Sequence, residues 1–301
     1  MKPEIPGLVP DIRRDYPVVR RAQEALARVV AKPEYRDGAL PTRNGSVPIR
    51  IFEPDETSND RVILFLHGGG WVIGSAESYS RVCWAMAEAT GSTLWSVDYR
   101  LAPEHPFPAP LDDCFDALRA AVLGPGLVGA SSASNLVVMG DSAGANLAAV
   151  SSLLLRDEDL PMPGAQILLY PVTQSDHNPE TSEFDSVREH QNRWFPRAVD
   201  VEGFVELYAG EHDDDWRVAP LNAPDLTKQP RTLVITASWD PLRDEGEAYG
   251  RALAEAGNEV RIERIDRALH GFLSMPRFTR PVATTHAVID DFLTSPDGGQ
   301  E

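Results

Sequence analysis

With 301 residues, the chain is long enough for one large α/β domain with insertions or for two ordinary domains, and 42% hydrophobic residues supply a full core. Its 28 basic against 46 acidic side chains leave a net charge of −18, a surface that repels phosphate backbones and anionic headgroups and argues against nucleic acid or a membrane as partner. No run approaches the roughly 18 apolar residues a membrane span needs, the N-terminal Met1-Lys2-Pro3-Glu4-Ile5-Pro6 lacks the apolar core of a signal peptide, and the two cysteines, Cys83 and Cys114, have neither metal-ligand nor C-x-x-C spacing. The expectation is a soluble cytoplasmic protein with reduced, buried thiols.

Val18, Val19, Ala22, Ala25, Leu26, Val29 and Val30 recur at helical spacing and predict an amphipathic helix over about 16 to 31. Extended segments follow at Val47 to Phe52, Val62 to Leu66, Thr93 to Val97, Leu136 to Met139, Gln166 to Leu169, Thr232 to Thr236 and Val260 to Ile265. Pro48 cannot donate to a ladder, so the first of these reads as an edge strand. Helical patterns lie between most of the others, which predicts a largely parallel sheet covered on both faces.

The alternation breaks once, between Ser175 and Asp225, where a helix-like patch carries Trp194, Phe195, Val201, Phe204, Val205 and Tyr208. A long insertion of this kind is usually a lid or binding element. It holds 13 acidic against 4 basic side chains, −9 of the −18. A solvated outer face is the plain reading, and an entrance that disfavours anionic substrates is the sharper one. The tail from Ser295 to Glu301 reads as disordered, and no internal repeat is visible.

Gly140-Asp141-Ser142-Ala143-Gly144 stands between the apolar run Leu136 to Met139 and a helix-compatible run from Ala145. G-x-S-x-G between strand and helix is the nucleophile elbow, a turn so tight that only glycine fits two residues either side of the serine. Alone, such a pentapeptide arises by chance, so its partners decide. A serine hydroxyl needs a base, and the base an orienting acid, in the chain order serine, acid, histidine. His270 lies just past the last strand, whereas His286 sits in a helical pattern. Asp240 follows the strand Thr232 to Thr236, where a loop at the carboxyl end of a parallel strand would place it; its rival Asp244 opens the next helix and suits a cap or an arginine partner.

His67-Gly68-Gly69-Gly70-Trp71 follows the strand Val62 to Leu66, and its glycines let backbone N–H groups turn inward as part of an oxyanion hole, with Ala143 as a further donor. A dinucleotide fingerprint fails here by one residue, since Ile73 and only then Gly74 follows Gly70. No P-loop or H-E-x-x-H occurs, and Asp213-Asp214-Asp215 beside His212 reads as a solvated loop, so no cofactor and no metal is expected.

These residues resemble the hormone-sensitive lipase family of α/β-hydrolases, in particular its bacterial carboxylesterases. The resemblance rests on His67 to Trp71, Asp98-Tyr99-Arg100-Leu101-Ala102-Pro103-Glu104-His105-Pro106-Phe107-Pro108-Ala109, the elbow, Tyr170-Pro171-Val172, Asp240 to Gly246 and His270-Gly271-Phe272. It implies an α/β-hydrolase fold with a helical cap: residues 1–45 as N-terminal cap helices, 46–174 and 226–294 as catalytic domain, 175–225 as cap insertion. It implies a serine carboxylesterase with Ser142, Asp240 and His270 as triad and with Gly69, Gly70 and Ala143 donating to the oxyanion. His67 would support the loop, and Arg100 would pair with Glu104. Trp194, Phe195, Phe204 and Tyr208, with Trp71, are candidates to line the acyl site, ordinary cap packing being the alternative. The expected partner is a small-molecule ester of short to medium acyl chain, with a homodimer as an open assembly state. A small-molecule receptor or a lyase on the same scaffold stays open at this point.

Overall fold

A computed structural model describes residues 11–29, 33–43, 45–57, 59–192 and 195–295. Eight strands form one sheet: β1 (Arg36–Thr42), β2 (Gly45–Phe52), β3 (Val62–Leu66), β4 (Thr93–Val97), β5 (Leu136–Asp141), β6 (Ala165–Leu169), β7 (Arg231–Trp239) and β8 (Val260–Leu269). The helices are α1 (Ile12–Val29), α2 (Ser80–Thr90), α3 (Ala109–Leu123), α4 (Ala143–Asp157), α5 (Asp185–His190), α6 (Ala198–Ala209), α7 (Arg243–Glu255) and α8 (Arg280–Thr294). The strand order is β1-β2-β4-β3-β5-β6-β7-β8, with β1 and β2 antiparallel to their neighbours and every pair from β4 to β8 parallel.

Strand β3 shows why the sheet lies in the middle. Its five residues are all buried, with Val62, Leu64 and Leu66 in the layer that contains α3, α4 and α7, and Ile63 and Phe65 in the layer that contains α2 and α8. A strand apolar on both faces is the mark of a parallel sheet covered by helices on both sides. No helix of the described residues is long and apolar enough to cross a membrane.

Two details depart from the sequence expectations. The stretch Arg36–Thr42, inside the segment expected as cap helices, forms β1 and takes the edge position. Strand β2 is therefore interior despite Pro48. The β2–β4 pairing runs only from Ile49 to Phe52, so the missing N–H falls where that ladder has ended, and the Pro48 carbonyl still accepts from the Asp98 N–H at 2.9 Å. The last two positions of the expected first helix, and the tail beyond Ser295, lie outside the described residues.

Between β6 and β7 no strand forms among the described residues, and α5 and α6 cover the carboxyl ends of the central strands. Both ends of this insertion are tied down. The Leu221 N–H donates to the Thr173 carbonyl at 3.1 Å, and the buried Asn146 amide on α4 donates to the carbonyls of Val172 and Val218 at 3.0 and 2.8 Å. Helix α1 meets α6 through the Arg13–Glu206 ion pair. It also reaches the glycine loop, where Arg20 donates to the Val72 and Ala102 carbonyls, both at 2.6 Å, and pairs with Glu104.

Candidate active site

Ser142 joins β5 to α4 in a backbone conformation of φ 54°, ψ −120°, a strained positive-φ geometry for a non-glycine residue. A Cβ on Gly140 would be driven into the Gly144 backbone, and one on Gly144 into the carbonyls of Leu66 and His67. The two glycines thus allow the elbow to fold against β3. The Ser142 N–H donates to the Leu169 carbonyl at 2.8 Å, which fixes the turn above the sheet.

His270, just past β8, stands with Nε2 2.8 Å from Ser142 Oγ and Nδ1 2.8 Å from Asp240 Oδ2. An ionised carboxylate only accepts, so Nδ1 carries the proton and bare Nε2 accepts from the serine hydroxyl. Asp240, in the loop after β7, is fully buried and takes the Leu242 N–H on its other oxygen at 2.9 Å. Burial opposes charge on the imidazole, yet the Asp240 carboxylate, with Asp141 and Glu245 nearby, raises His270 above its ordinary value. Asp244 stands apart from this group, holding the Ser186 N–H at 2.8 Å and the Arg243 guanidinium.

The N–H groups of Gly69, Gly70 and Ala143 have no acceptor among the described residues, and Gly69, Gly70, Ser142 and His270 line one cavity of about 220 Å³. Unpaired backbone donors beside a nucleophile are what a developing oxyanion requires. Gly69 and Gly70 sit at φ 115° and 58°, and a Cβ on Gly70 would run into the Phe204 ring.

Beneath the loop, Asp141 Oδ1 accepts the Gly68 N–H at 2.7 Å while Oδ2 accepts the hydroxyls of Tyr79 and Tyr170 at 3.1 and 3.3 Å. Burial pushes this carboxyl up to about 6, against the three hydrogen bonds and His270. His67 donates through Nδ1 to the Gly68 carbonyl at 2.8 Å, and its ring stacks on Tyr99 at 4.2 Å. Burial lowers its pKa, and it stays a neutral brace for the loop.

Of the residues expected to line the acyl site, Phe195 and Phe204 face the cavity and Trp71 borders it. Tyr208 does not reach it: its ring is buried under Trp71 at 4.4 Å, because it sits one turn beyond Phe204 on α6 and faces the core. Trp194 lies outside the described residues. Val172, Val201 and Leu242 also line the cavity, Gln23 enters it from α1 and Tyr79 from the start of α2, a contribution no local motif announces. The expected Arg100–Glu104 pair does not form. Arg100 is bidentate to Asp113 on α3, whose oxygen also takes the Arg100 N–H, while Glu104 faces α1 and pairs with Arg20. Asp215 is held by Arg217, and no group of three or more metal-ligating side chains occurs among the described residues.

The sequence profile of a family described as alpha/beta hydrolase fold matches residues 63–274. An arylesterase of Saccharolobus solfataricus is 34% identical over 268 residues, 87% of this chain and 86% of that protein. An ethyl acetate hydrolase of Pseudomonas putida is 33% identical over 267 residues, 85% of this chain and 82% of that protein. The solved structure of a hyperthermophilic esterase from Pyrobaculum calidifontis superposes with a TM-score of 0.85 at 30% identity, covering 95% of this chain and 93% of that one.

Proposed function

We propose that Ser142 of this chain, which belongs to the hormone-sensitive lipase-like family of alpha/beta hydrolases, is the nucleophile of a carboxylesterase. The enzyme is a hydrolase of carboxylic esters. The observation that carries the residue assignment is the unbroken line Ser142 Oγ, His270, Asp240 with both links at 2.8 Å.

In this reading Ser142 attacks the ester carbonyl as its proton passes to His270 Nε2, and the charge that forms on the carbonyl oxygen is met by the N–H groups of Gly69, Gly70 and Ala143. Each such donor is worth about 10²–10³ in rate. The imidazolium then protonates the departing alcohol. Water, activated by the same imidazole, releases the acid from the acyl-enzyme.

A cavity of about 150 Å³ holds benzene, so one of about 220 Å³ suits a short to medium acyl chain with a small alcohol. Its lining by Val172, Val201, Phe204 and Leu242 favours an apolar acyl group. None of the 13 acidic residues of 175–225 lines it, which supports the solvated-face reading of that charge. Residues of α1 and 175–225 act as the cap over a catalytic domain that also takes in β1. A cytoplasmic setting is part of the same reading, supported by two buried cysteines that form no disulfide. Rates on p-nitrophenyl esters of increasing acyl length test the substrate range: a maximum at short or medium chains is expected, and a rate that climbs through long-chain esters overturns it.

A further inference from the structure

The catalytic cavity has a larger neighbour. A space of about 360 Å³ lies between α1, α2 and the segment after His270, lined among others by Ala27, Arg81, Trp84, Met275, Arg277 and His286. Gln23, Tyr79 and Ser274 line both spaces, so the two abut. The direction of the chemistry gives this neighbour a role. His270 hands its proton to the leaving oxygen, so the alcohol lies on the His270 side of the breaking bond, while the acyl group stays on Ser142 beside Val201 and Phe204. Leu273 to Arg277, separated from His270 by two residues, is a wall of the second space.

We propose that this chamber receives the alcohol portion of the ester and favours alcohols that carry an anionic group. The proposal rests on the assignment of Ser142, His270 and Asp240 made above. Among the described residues, the charged side chains that line the chamber are Arg81 and Arg277 against Glu77, a local excess of positive charge on a protein of −18. The Arg277 guanidinium lies over the Trp84 ring at 5.1 Å, so an aromatic surface for the body of the alcohol adjoins the cation that would meet its anionic end. His286 adds no charge, since burial, with Arg277 near, lowers it to about 4. None of the acidic residues of 175–225 borders this space.

The test compares three acetates, those of phenol, of 6-hydroxy-2-naphthoate and of the corresponding neutral naphthamide. Filling the chamber by Ala27→Trp, a position that lines only the second space, should lower kcat/KM of both naphthyl esters about tenfold relative to phenyl acetate. The pair Arg81→Gln and Arg277→Gln together should lower the naphthoate-to-naphthamide ratio about fivefold, as expected for partly exposed charge pairs, and salt should lower the wild-type ratio in the same direction. Naphthyl esters that respond to Ala27→Trp no more than phenyl acetate does overturn the chamber, and a ratio unmoved by the arginine pair overturns the anionic preference. Phenyl acetate turnover that survives Ser142→Ala would instead sink the nucleophile assignment, so the two failures are told apart.

Discussion

Replacing Asp240 by Asn changes one atom of a side chain that is wholly buried and bonded at both oxygens. If the amide keeps its oxygen on the Leu242 N–H, its NH₂ faces Nδ1 of His270, and the imidazole must move its proton to Nε2, where it no longer accepts from Ser142. Turned over, the amide preserves the tautomer, but it sets a donor against the Leu242 N–H and still removes the negative charge. At the 2.8 Å separation that charge is worth about 6 kcal/mol to an imidazolium for an effective dielectric near 20. About 5.4 kcal/mol is a factor of 10⁴, so kcat should fall about 10⁴-fold, the size known for the same exchange in a serine protease triad. The pH profile gives an independent readout. Hydrolysis needs the neutral imidazole, so the rate climbs with pH through the His270 midpoint, which the Asp240 carboxylate holds above the ordinary 6.5 against the effect of burial. In the Asn variant the climb should move to lower pH. Initial rates on phenyl acetate from about pH 5 to 9, on protein whose thermal transition is intact, measure both. A kcat within tenfold of wild type, with an unmoved midpoint, would refute the reasoning.

Gly70→Ala adds a Cβ that meets the Phe204 ring at a backbone φ of 58°; kcat/KM should drop about 10²-fold, and adding Phe204→Ala should recover at least about tenfold, leaving left-handed strain of about 1–2 kcal/mol. A double variant no better than the single one contradicts a steric cause. Asp141→Asn removes a second charge that raises His270, so the acidic limb of the pH profile should shift down, though less than in Asp240→Asn because Asp141 itself titrates at about 6; an upward shift counts against the arrangement. Arg20→Ala removes the charged donor that binds α1 to the Val72 and Ala102 carbonyls and to Glu104, and at about 1.5–3 kcal/mol for such bonds the melting temperature should fall by about 2–5 °C. An unchanged melt would mean α1 is held by other contacts.

The parts of this protein that could be read from the sequence are those whose physics is local. The elbow and the glycine loop declare themselves because a positive φ or a close backbone approach needs glycine at set offsets. Asp240 could be found because it follows the apolar run Leu233 to Ile235 of β7, and His270 because the chain order serine, acid, histidine points to a histidine after the last extended segment, although β8 itself is half charged. Strand β1 could not: Asp37, Gly38 and Pro41 interrupt it and only Leu40 is buried, so it exists through its ladder to β2 rather than through any alternation of its own. Helix α6 was visible as a helix but not in its orientation, since it is apolar on most sides. Phe204 and Tyr208 could be told apart only once the glycine loop and Trp71 were in place. The Arg100 and Glu104 partners, and the chamber beside the catalytic cavity, depend on α1, α2 and α3 meeting in space, which no local pattern encodes.

The central claim is that Ser142 forms the acyl-enzyme with His270 as its base, and covalent labelling tests it most directly. A fluorophosphonate mixed with the wild-type protein should add one phosphonyl group, mapped by peptide mass spectrometry to Ser142. His270→Ala should slow that labelling by orders of magnitude, and Ser142→Ala should abolish it together with turnover of phenyl acetate. Rapid labelling at another residue, or phenyl acetate hydrolysis by Ser142→Ala at a near-native rate, would contradict the account.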